Sequence, residues 1–577
     1  MNSVKIFRNF YGYVFMGIMI GLLALVQSGL AQAGNLPVHE SDAKILYNGI
    51  RLPMQWPPDN YDPNSSEPMP VPYLKERPGV IPIRIGRQLF VDDFLIEETN
   101  LQRVYHQAKK YEGNPVLFPT TGSELGLNAG NSAVTYLGHG GVFFDPKDQL
   151  FKMFYQAGWR GGLALATSTD LINWKRPHWG MGPDNLVMSP GPLMAGGDNS
   201  FWLDLNATDT MQRFKAIIER LVDGAWAQNY KTKNQSPTHT LHTSPDGRIW
   251  SQGITTGKAA DYTSFFYNPF RKLWVYSIKQ NTPRGRARYY SESKDFLKGA
   301  DWKNRVFWVN ADKLDDADSK VGDSAQLYSL NAVAYESILL GEFYIHLGPH
   351  NKIAEEGKFP KITELKIGYS RDGFHWDRPD RRPFINATRA EESWDRAYLH
   401  GTTGVCVVIG DRIWFPYCGF SGKAPDGSKG MYTGASIGLA FLRRDGFASM
   451  DAGKKKGTLT TRLVVFDGSH LFVNVDCSQG ELKAEILDEN NKVIGPFSAK
   501  NSVAVRSNKT LQAITWKGAG NLSELKNKPV RFRFYLTNGK LYSFWVSPYK
   551  TGASYGYIGA GGPGYDGVID DKGIDAY

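Results

Sequence analysis

One seven-residue pattern recurs along the chain and constrains its fold more than any other feature. A Ser is followed two residues later by Asp, and four residues after that by Trp, at 168–174, 244–250 and 370–376. A looser copy at 293–302 has its Trp late, and a fifth copy at 444–447 lacks the Trp. The serines of the first four copies are 76, 49 and 77 residues apart. Several short strands repeated at this period indicate a β-propeller.

The pattern has a structural role. Its Ser and Asp side chains accept hydrogen bonds from backbone N–H groups in a turn, and the Asp-Gly pairs of three copies permit positive φ. The Trp then packs between neighbouring sheets. The pattern therefore predicts the scaffold, and the function must come from the side chains that the sheets direct inward.

Alternating apolar runs continue the β pattern along the chain. Runs such as 141–144, 151–155 and 273–276 have strand lengths and carry aromatic or β-branched residues. The composition changes to Asp, Gly and Lys at 450–457, and short strands about ten residues apart follow, which is typical of a β-sandwich. We therefore predict an all-β protein, with a five-bladed β-propeller followed by a C-terminal β-sandwich.

The predicted domains follow from these changes in composition. They are a signal peptide at 1–33, an N-terminal arm with the first strands at 34–109, the propeller at 110–452, the sandwich at 457–548 and a Gly- and Tyr-rich tail at 549–577. Two interpretations of the tail stay open. Its glycines favour a flexible segment, and its aromatic residues favour a packed strap across the domains.

The first residues are typical of a secretory signal. Lys5 and Arg8 precede an apolar run at 14–26, and Ala-Gln-Ala at 31–33 is a small-residue cleavage site. The alternative is an uncleaved membrane anchor, but the run is short for a span, and no later stretch is apolar enough to cross a bilayer. We expect a secreted or periplasmic protein with no membrane span after signal cleavage.

Charge and cysteine content narrow the classes of function. The chain has 67 Lys and Arg against 57 Asp and Glu, a net charge of +10. A solvated basic surface explains this excess, and attraction to an acidic or sulfated polysaccharide is the sharper alternative. The dense basic run at 454–456 reads as a linker, so no nucleic-acid partner is expected. The spacing of Cys406 and Cys418 favours buried free thiols over a disulfide framework.

A resemblance to known enzymes rests on two parts of the chain. Residues 166–174, Ala-Thr-Ser-Thr-Asp-Leu-Ile-Asn-Trp, resemble the blade signature of glycoside hydrolase families 32, 43 and 68, which are five-bladed propellers. Residues 528–534 and 541–544 resemble the sandwich appended to family 32 enzymes. The family 32 motifs Asn-Asp-Pro-Asn-Gly, Arg-Asp-Pro and Glu-Cys do not occur in the chain. The resemblance implies a divergent propeller glycoside hydrolase whose catalytic residues do not transfer by motif.

Acids at blade starts are the catalytic candidates, because the first strand of each blade lines the central channel of a small propeller. Glycoside hydrolysis needs a carboxylic acid that protonates the leaving oxygen and a carboxylate that activates water or attacks carbon. Asp198 and Asp261 are the best pair, since both precede strand-like runs with aromatic residues, and Asp323 is third. Glu336 is a charged residue in an apolar strand, which needs a partner. Turn capping, or for the Glu an ordinary ion pair, is the structural alternative.

Further side chains are predicted to bind substrate: His139, Asn199, Arg286, Arg288, Trp394 and His400. The histidines could contact sugar hydroxyls or replace a carboxylate as the acid, and a structural role is their alternative. The arginines could bind a substrate carboxylate or sulfate through a bidentate fork, or lie in a solvated loop. The Trp could stack on a sugar or pack in the core.

The predicted function is hydrolysis of glycosidic bonds in a plant or algal polysaccharide, with an inverting mechanism slightly preferred. No cofactor is required for this chemistry. A Ca²⁺ ion is plausible in a propeller channel, although no residue spacing shows it. The zinc-protease, Walker and nucleophile-elbow motifs do not occur. The alternatives are a non-catalytic carbohydrate-binding propeller and a polysaccharide lyase, which would need a Tyr or His base beside the two arginines.

Overall fold

A computed structural model describes residues 44–127, 130–189, 198–221, 237–322 and 324–577, so the predicted signal peptide lies outside the described residues. Strands dominate the described chain, and the predicted all-β class is confirmed. Its two α-helices are α1 (Pro72–Lys75) and α2 (Asn351–Gly357). Short 3-10 helices occur at Thr210–Gln212, Lys298–Ala300, Gly495–Phe497, Ser523–Leu525 and Gly573–Ala576. None of the described helices is long and apolar enough to span a membrane.

The N-terminal arm contributes short strands to several sheets that are completed much later in the chain. These strands are β1 (Ile81–Pro82), β2 (Gln88–Leu89), β3 (Ile96–Thr99), β4 (Gln102–Tyr105) and β5 (Lys109–Lys110). The arm is therefore paired into the fold and is not a free extension.

Three four-stranded sheets follow, each an antiparallel meander of consecutive strands. Sheet 1 contains β6 (Thr135–Asp145), β7 (Leu150–Ala157), β8 (Leu163–Ser168) and β9 (Leu186–Met188). Sheet 2 contains β10 (Ser200–Leu203), β11 (Phe214–Leu221), β12 (Pro237–Ser244) and β13 (Ile254–Thr255). Sheet 3 contains β14 (Ser264–Asn268), β15 (Leu273–Thr282), β16 (Gly285–Ser293) and β17 (Val306–Asn310).

The next two sheets each recruit one strand from a distant part of the chain. Sheet 4 contains β18 (Gln326–Glu336), β19 (Ile338–Gly348) and β20 (Ile362–Ser370) and ends on β33 (Tyr557–Ile558) from the tail. Sheet 5 contains β21 (Ala397–His400), β22 (Val407–Ile409), β23 (Arg412–Phe420) and β24 (Ala435–Arg443) and ends on β5 from the arm. Strands separated by hundreds of residues therefore complete these two sheets.

The first strands of the five sheets surround one axis. Strand β6 packs against β10 and β21, and β14 packs against β10 and β18. A hydrogen bond of 2.7 Å between the hydroxyls of Tyr328 on β18 and Tyr398 on β21 joins the last two sheets. The sheets thus form a propeller-type ring whose inner strands bring residues from distant parts of the sequence together.

The recurring Ser-Asp-Trp pattern has the predicted structural role. Each copy follows the third strand of a sheet, and Asp170, Asp246 and Asp372 each accept two backbone N–H bonds of 2.7–3.0 Å. Gly247 and Gly373 have φ values of +78° and +88° in these turns. The ring centroid of Trp250 lies 6.2 Å from that of Phe154 in sheet 1 and 5.6 Å from that of Phe201 in sheet 2, so the Trp packs between two sheets.

Two further sheets pack on a second hydrophobic core. Their remaining strands are β25 (Ala448–Ala452), β26 (Gly457–Thr461), β28 (His470–Asp476), β29 (Glu481–Leu487), β30 (Asn508–Ala513), β31 (Arg531–Thr537) and β32 (Gly539–Ser547). Strand β27 (Val464–Val465) pairs instead with β1 in a separate two-stranded parallel sheet. One sheet has the order β30-β28-β32-β25-β4 with β2 at its side, and the other has β29-β31-β26-β3. Buried residues from both sheets share this core, including Phe532, Phe534 and Phe544. The Lys-rich stretch predicted as a linker is the connection between β25 and β26.

The C-terminal tail is the packed strap rather than a flexible segment. Its strand β33 pairs with β18, and Asp570 forms an ion pair of 2.8 Å with Arg444. Arg444 also pairs with Glu336 at 3.1 Å, and Arg87 of the arm lies 3.2 Å from Asp445. These side chains have no exposed surface. A buried ion network, which we call the strap network, therefore joins the arm, sheet 4 and the tail.

The cysteines behave as predicted. Cys406, Cys418 and Cys477 are all buried free thiols.

Candidate active site

Four tyrosine side chains from four sheets meet where the inner strands converge. These are Tyr136 on β6, Tyr262 just before β14, Tyr328 on β18 and Tyr398 on β21, here called the tyrosine ring. The hydroxyl of Tyr136 bonds to that of Tyr262, and the ring centroids of Tyr262 and Tyr328 are 4.6 Å apart. Burial raises the pKa of each phenol well above its ordinary value. The tyrosines are therefore neutral and donate hydrogen bonds to nearby acceptors.

The backbone of Tyr262 is held in an unusual conformation. Its φ is +63°, a left-handed value that a bulky residue keeps only where its surroundings enforce it. The guanidinium of Arg288 donates to the carbonyl oxygen of Tyr262 at 2.8 Å, and the hydroxyl of Tyr262 bonds to Nδ1 of His400. Because Asp261 is the preceding residue, this constraint also restricts the position of Asp261, one of the catalytic candidates.

Asp198 stands two residues before β10 and is partly exposed. The hydroxyl of Tyr136 donates to its Oδ1 at 3.2 Å. Desolvation, followed by the negative charge of Asp261, raises the pKa of Asp198 to about 7, against an ordinary value of 3.8. Near neutral pH a large fraction of this carboxyl group therefore carries a proton that it can donate.

Asp261 has the opposite character. Its Oδ1 forms an ion pair with the ammonium of Lys279, which β15 supplies, and its side chain is one-third exposed. Burial acts to raise the pKa of Asp261, but the charge and hydrogen bond of Lys279, with the charge of Arg286, lower it below the ordinary value. Asp261 is therefore an ionised carboxylate throughout the neutral range.

A third carboxyl group, that of Glu219 on β11, lies with those of Asp198 and Asp261. It is fully buried, and neither carboxylate oxygen has a hydrogen-bond partner among the described residues. Its backbone N–H donates to Oδ1 of Asn199 at 3.1 Å. Burial, followed by the charges of Asp198 and Asp261, raises the pKa of Glu219 well above its ordinary value. Glu219 is therefore a neutral carboxylic acid next to the other two.

This arrangement separates acid and base roles within one group of carboxyls. Pairs of titratable groups whose surroundings push their pKa values apart are typical of acid–base catalysis. Here Asp198 and Glu219 retain protons at a pH at which Asp261 is charged. Within the described residues, no three His, Cys, Asp or Glu side chains group in a way that suits a metal ion.

Three cationic side chains surround the ring of Tyr328. The Nζ atoms of Lys279 and Lys361 lie 4.6 and 5.6 Å from its centroid, and Cζ of Arg286 lies 5.3 Å from it. Burial, with the charges of Arg286 and Lys279, lowers the pKa of Lys361 to about 7. The charges of Arg286 and Lys361 also act on Asp261, so the cations border the carboxyl group.

A cavity of about 350 Å³ adjoins these cations. Arg286 and His346 line it, and so does Asn351, whose Oδ1 accepts a hydrogen bond of 3.1 Å from Nζ of Lys361. Small-molecule sites commonly occupy ≈ 300–1,000 Å³, so this cavity is large enough for a sugar unit.

An aromatic pair lies beside the tyrosine ring. The rings of Trp159 and Tyr432 stack with centroids 4.1 Å apart and planes 7° apart, and both are partly exposed. Trp159 also contacts Tyr136 at 5.3 Å between ring centroids, and the Tyr432 hydroxyl lies 3.3 Å from Nζ of Lys361. This pair offers an apolar face on which a sugar ring can stack.

The structure places the two predicted histidines behind the site. His139 and His400 have no exposed surface, and burial lowers the pKa of both well below the ordinary value. Nε2 of His139 lies 3.2 Å from Oγ of Ser329 and 3.2 Å from the carbonyl oxygen of Tyr262. Both histidines are therefore neutral supports of the tyrosine ring and do not face a sugar.

Arg288 and Trp394 also take structural positions. The buried guanidinium of Arg288 donates to Oγ of Ser277 at 2.9 Å and to the backbone of Tyr262, so it offers no fork to a ligand. Trp394 packs against the core and against Tyr417, with ring centroids 5.3 Å apart. The core-packing alternative holds for Trp394, whereas Arg288 lies buried on β16 and not in the solvated loop that was its structural alternative.

Of the four catalytic candidates, the structure brings Asp198 and Asp261 together. Glu336 lies instead in the strap network, where it pairs with Arg444 and accepts the Arg87 backbone N–H at 3.0 Å. The prediction that Glu336 joins the catalytic carboxyls is therefore corrected. The partner that a charged residue in an apolar strand requires is here a pair of arginines. Asp323 lies outside the described residues.

The sequence reasoning missed Glu219, Lys279, Lys361 and Trp159. Glu219 ends the apolar run at 214–218, which is the same signal that drew attention to Glu336. Lys279 similarly follows an apolar run at 273–278. No local pattern distinguishes Lys361 or Trp159, because their role comes from contacts with other sheets.

Comparisons with known proteins find similarity over part of the chain. No protein-family model matches the chain. A stretch of 138 residues is 28% identical to a beta-1,4-mannooligosaccharide phosphorylase of Ruminococcus albus, covering 22% of this chain. The chain thus spans 36% of the length of that curated relative.

Two similar solved structures are both smaller proteins. An N-acetylgalactosamine deacetylase from F. plautii has 14% identity and a TM-score of 0.39, over 60% of this chain and 96% of the deacetylase. A thermostable family-43 glycoside hydrolase has 10% identity and a TM-score of 0.38, over 56% of this chain and 94% of the hydrolase.

Proposed function

We propose that this chain is a glycoside hydrolase in which Asp198 is the general acid and Asp261 is the assisting carboxylate. The observation that carries the proposal is the opposite shift of their pKa values within one site. Hydrolysis of a glycosidic bond needs a protonated and an ionised carboxyl group on opposite sides of the bond. The stacked pair of Trp159 and Tyr432 supports a sugar ligand.

In the proposed reaction, Asp198 gives its proton to the oxygen of the leaving sugar as the glycosidic bond breaks. Positive charge develops at the anomeric carbon, and the Asp261 carboxylate stabilises it while orienting a water molecule. The water adds its oxygen to the anomeric carbon and loses a proton to Asp261. The Lys279 ion pair occupies one oxygen of Asp261, which favours activation of water over direct attack and hence inversion.

Glu219 is proposed as a positioning residue. It has no exposed surface, so it does not reach a substrate in the conformation described. As a neutral acid it adds no negative charge next to Asp198, whose pKa would otherwise rise further. Its backbone bond to Asn199, the neighbour of Asp198, connects it to the strand that carries the acid.

The lyase alternative receives less support. A lyase needs a base, and burial makes the four ring tyrosines weaker acids than an ordinary tyrosine, so none is readily ionised. Arg288, one of the two predicted ligands for a uronate carboxylate, is occupied by backbone oxygens. The non-catalytic binding alternative is tested by the experiment below.

The test is a screen of the purified protein on plant and algal polysaccharides for release of reducing sugar. We expect release with the wild type and a loss of at least about 100-fold in Asp198→Asn and Asp261→Asn. Asp316→Asn, an exposed residue with the same change, is the control. Binding of a glycan without release by the wild type would refute hydrolysis and support a binding propeller. Proton NMR of the first product anomer distinguishes inversion from retention.

We also propose that the chain is exported and acts on polysaccharide outside the cytoplasm. The basic residues, apolar run and Ala-Gln-Ala site within 1–33 support this proposal. Cell fractionation with N-terminal sequencing is the test. A mature N-terminus after Ala33 in the medium or periplasm is expected, and an intact Met1 in the cytoplasm would refute it.

A further inference from the structure

We propose that Arg286, Lys361 and the adjoining cavity form a subsite for an oxyanion carried by the sugar substrate, as a sulfate ester or a carboxylate. The substrate part of this proposal rests on the proposed hydrolysis. The presence of an oxyanion site does not, because it follows from the arrangement of charges.

Cationic side chains crowd around the ring of Tyr328. Lys279, Arg286 and Lys361 all approach one ring, that of Tyr328, to within 4.6–5.6 Å of its centroid. Lys279 is paired with Asp261. The ion pairs found among the described residues include none for the other two. Arg286 and Lys361 therefore share a small region in which the nearby Asp261 carboxylate is already paired with Lys279.

These two cations also form hydrogen bonds within the protein. Lys361 is a buried residue with 1% of its surface exposed. Its Nζ donates to Asn351 Oδ1 at 3.1 Å and to the Tyr432 hydroxyl at 3.3 Å. Arg286 donates through Nη1 to Oε1 of Gln326 at 2.8 Å. These partners are neutral, and an ammonium has three donors and a guanidinium five. Both groups keep donors for a further acceptor.

The electrostatics favour an anion at this position. A buried charge without a partner is unfavourable, and the repulsion of Arg286 and Lys279 is reflected in the lowered pKa of Lys361. Asp261 is ionised but is already paired with Lys279, and Asp198 and Glu219 hold their protons at neutral pH more readily than ordinary carboxyls. An incoming oxyanion would supply the missing negative charge and accept charge-assisted bonds.

The cavity indicates that the anion comes on a larger molecule. Its described lining includes the basic or polar residues Lys320, His346 and His350. Its volume of about 350 Å³ exceeds that of a single sulfate or carboxylate group. Because Arg286 and Lys361 also act on Asp261, an anionic sugar bound here would have a glycosidic bond near the catalytic carboxyls.

The experiment compares matched substrates. Kinetics are measured on a sulfated oligosaccharide and its desulfated form, and on a uronate-containing oligosaccharide and its carboxyl-reduced form. For one of these pairs we expect kcat/KM to be at least about tenfold higher for the anionic form. Lys361→Gln and Arg286→Gln should each reduce this preference by roughly tenfold. Lys352→Gln, an exposed residue on α2 with the same charge change, should leave it intact.

A binding measurement keeps the two proposals separate. Calorimetry with sodium sulfate and sodium phosphate at constant ionic strength should show binding to the wild type and the Lys352 variant, and at least tenfold weaker binding to the Lys361 variant. Binding without cleavage of any glycan would refute the proposed hydrolysis and leave the oxyanion site standing. Thermal unfolding of the Lys361 and Arg286 variants is measured as well. An unfolding transition unchanged from the wild type shows that the variant is folded, and one folded variant suffices for the test.

Two results would overturn the inference. Equal kcat/KM for both members of every pair, with no binding of sulfate or phosphate, would show that the cations serve only the protein. Cleavage that requires inorganic phosphate and yields a glycosyl phosphate would place the oxyanion on a co-substrate and not on the sugar.

Discussion

The hydroxyl of Tyr136 lies 3.2 Å from Oδ1 of Asp198 and donates to it, and the same hydroxyl bonds to that of Tyr262. Tyr136 is on the first strand of sheet 1, while Asp198 and Tyr262 precede the first strands of sheets 2 and 3. Three sheets thus orient the proposed acid. Its position therefore depends on closure of the ring.

The first prediction concerns this bond. The hydrogen bond from Tyr136 lowers the pKa of Asp198, so Tyr136→Phe should raise it. A net bond energy of 0.5–1.5 kcal/mol corresponds to a rise of roughly 0.4–1 pH unit. The measurement is the alkaline limb of kcat/KM against pH. Tyr398→Phe, which removes the bond to Tyr328 in the same ring, is the control and should leave the limb in place.

The second prediction is a bell-shaped pH dependence of kcat/KM in the wild type. Activity requires ionised Asp261, whose pKa lies below 3.8, and protonated Asp198, whose pKa is about 7. Activity should therefore be lost below the ordinary range of an Asp and should fall as pH rises through about 7. Lys361 also titrates near 7, so Lys361→Gln is the necessary comparison. An alkaline limb that disappears in this variant and persists in Asp198→Asn would contradict the assignment.

The third prediction separates acid from base by leaving group. Asp198→Asn should retain much of its activity on an aryl glycoside with a dinitrophenyl leaving group, because that group departs without protonation. The loss should reach about 100-fold or more on a natural glycosidic bond. Asp261→Asn should be impaired on both substrates. Equal impairment of both variants on the activated substrate would refute the division of roles.

The fourth prediction concerns the strap network. Arg444→Met removes one of the two arginine partners of Glu336 and Asp570, and breaking a buried ion pair costs roughly 3–5 kcal/mol of stability. Urea unfolding is the measurement. Arg506→Met, which breaks the more exposed pair with Glu481, should cost about 1 kcal/mol or less.

Glu336→Gln tests the same network from the carboxylate side. We expect a loss of stability, because Arg87 and Arg444 each lose one of their buried carboxylate partners. A variant with unchanged unfolding and no turnover would return Glu336 to the catalytic candidates.

The fifth prediction concerns the aromatic pair. Trp159→Ala should raise KM roughly 2- to 10-fold, because stacking of the kind seen with Tyr432 is worth ≈ 0.5–1.5 kcal/mol. Trp394→Ala is the matched control, since that ring packs on Tyr417 within sheet 5. A larger rise of KM in the Trp394 variant, with both proteins folded, would show that the platform lies there.

Local chemistry accounts for what could be predicted from the sequence. The alternation of apolar residues and the Ser-Asp-Trp turns depend on bonds within a few residues, such as those that Asp170 accepts from Ile172 and Asn173. The position of Asp198 and Asp261 at the start of inner strands is also a local property. The all-β class and this pair of candidates therefore followed from the sequence alone.

Other features depended on contacts between distant segments. Glu219 and Glu336 have a similar local signal, a charged residue at or near the end of an apolar strand. The structure places the first beside Asp198 and Asp261 and the second between two arginines from the arm and the end of sheet 5. Their different roles come from which neighbours the sheet packing brings to each strand end.

The amino-acid sequence by itself thus determined the strands, the turns between them and the acids that begin the inner strands, because backbone bonding and side-chain alternation act over short distances. Only the tertiary structure decided which carboxyl group holds a proton. The pKa of Asp198 depends on burial and on the charge of Asp261, and Asp261 is ionised because Lys279 lies against it. Such electrostatic effects act through space, between residues that the ring of sheets brings together.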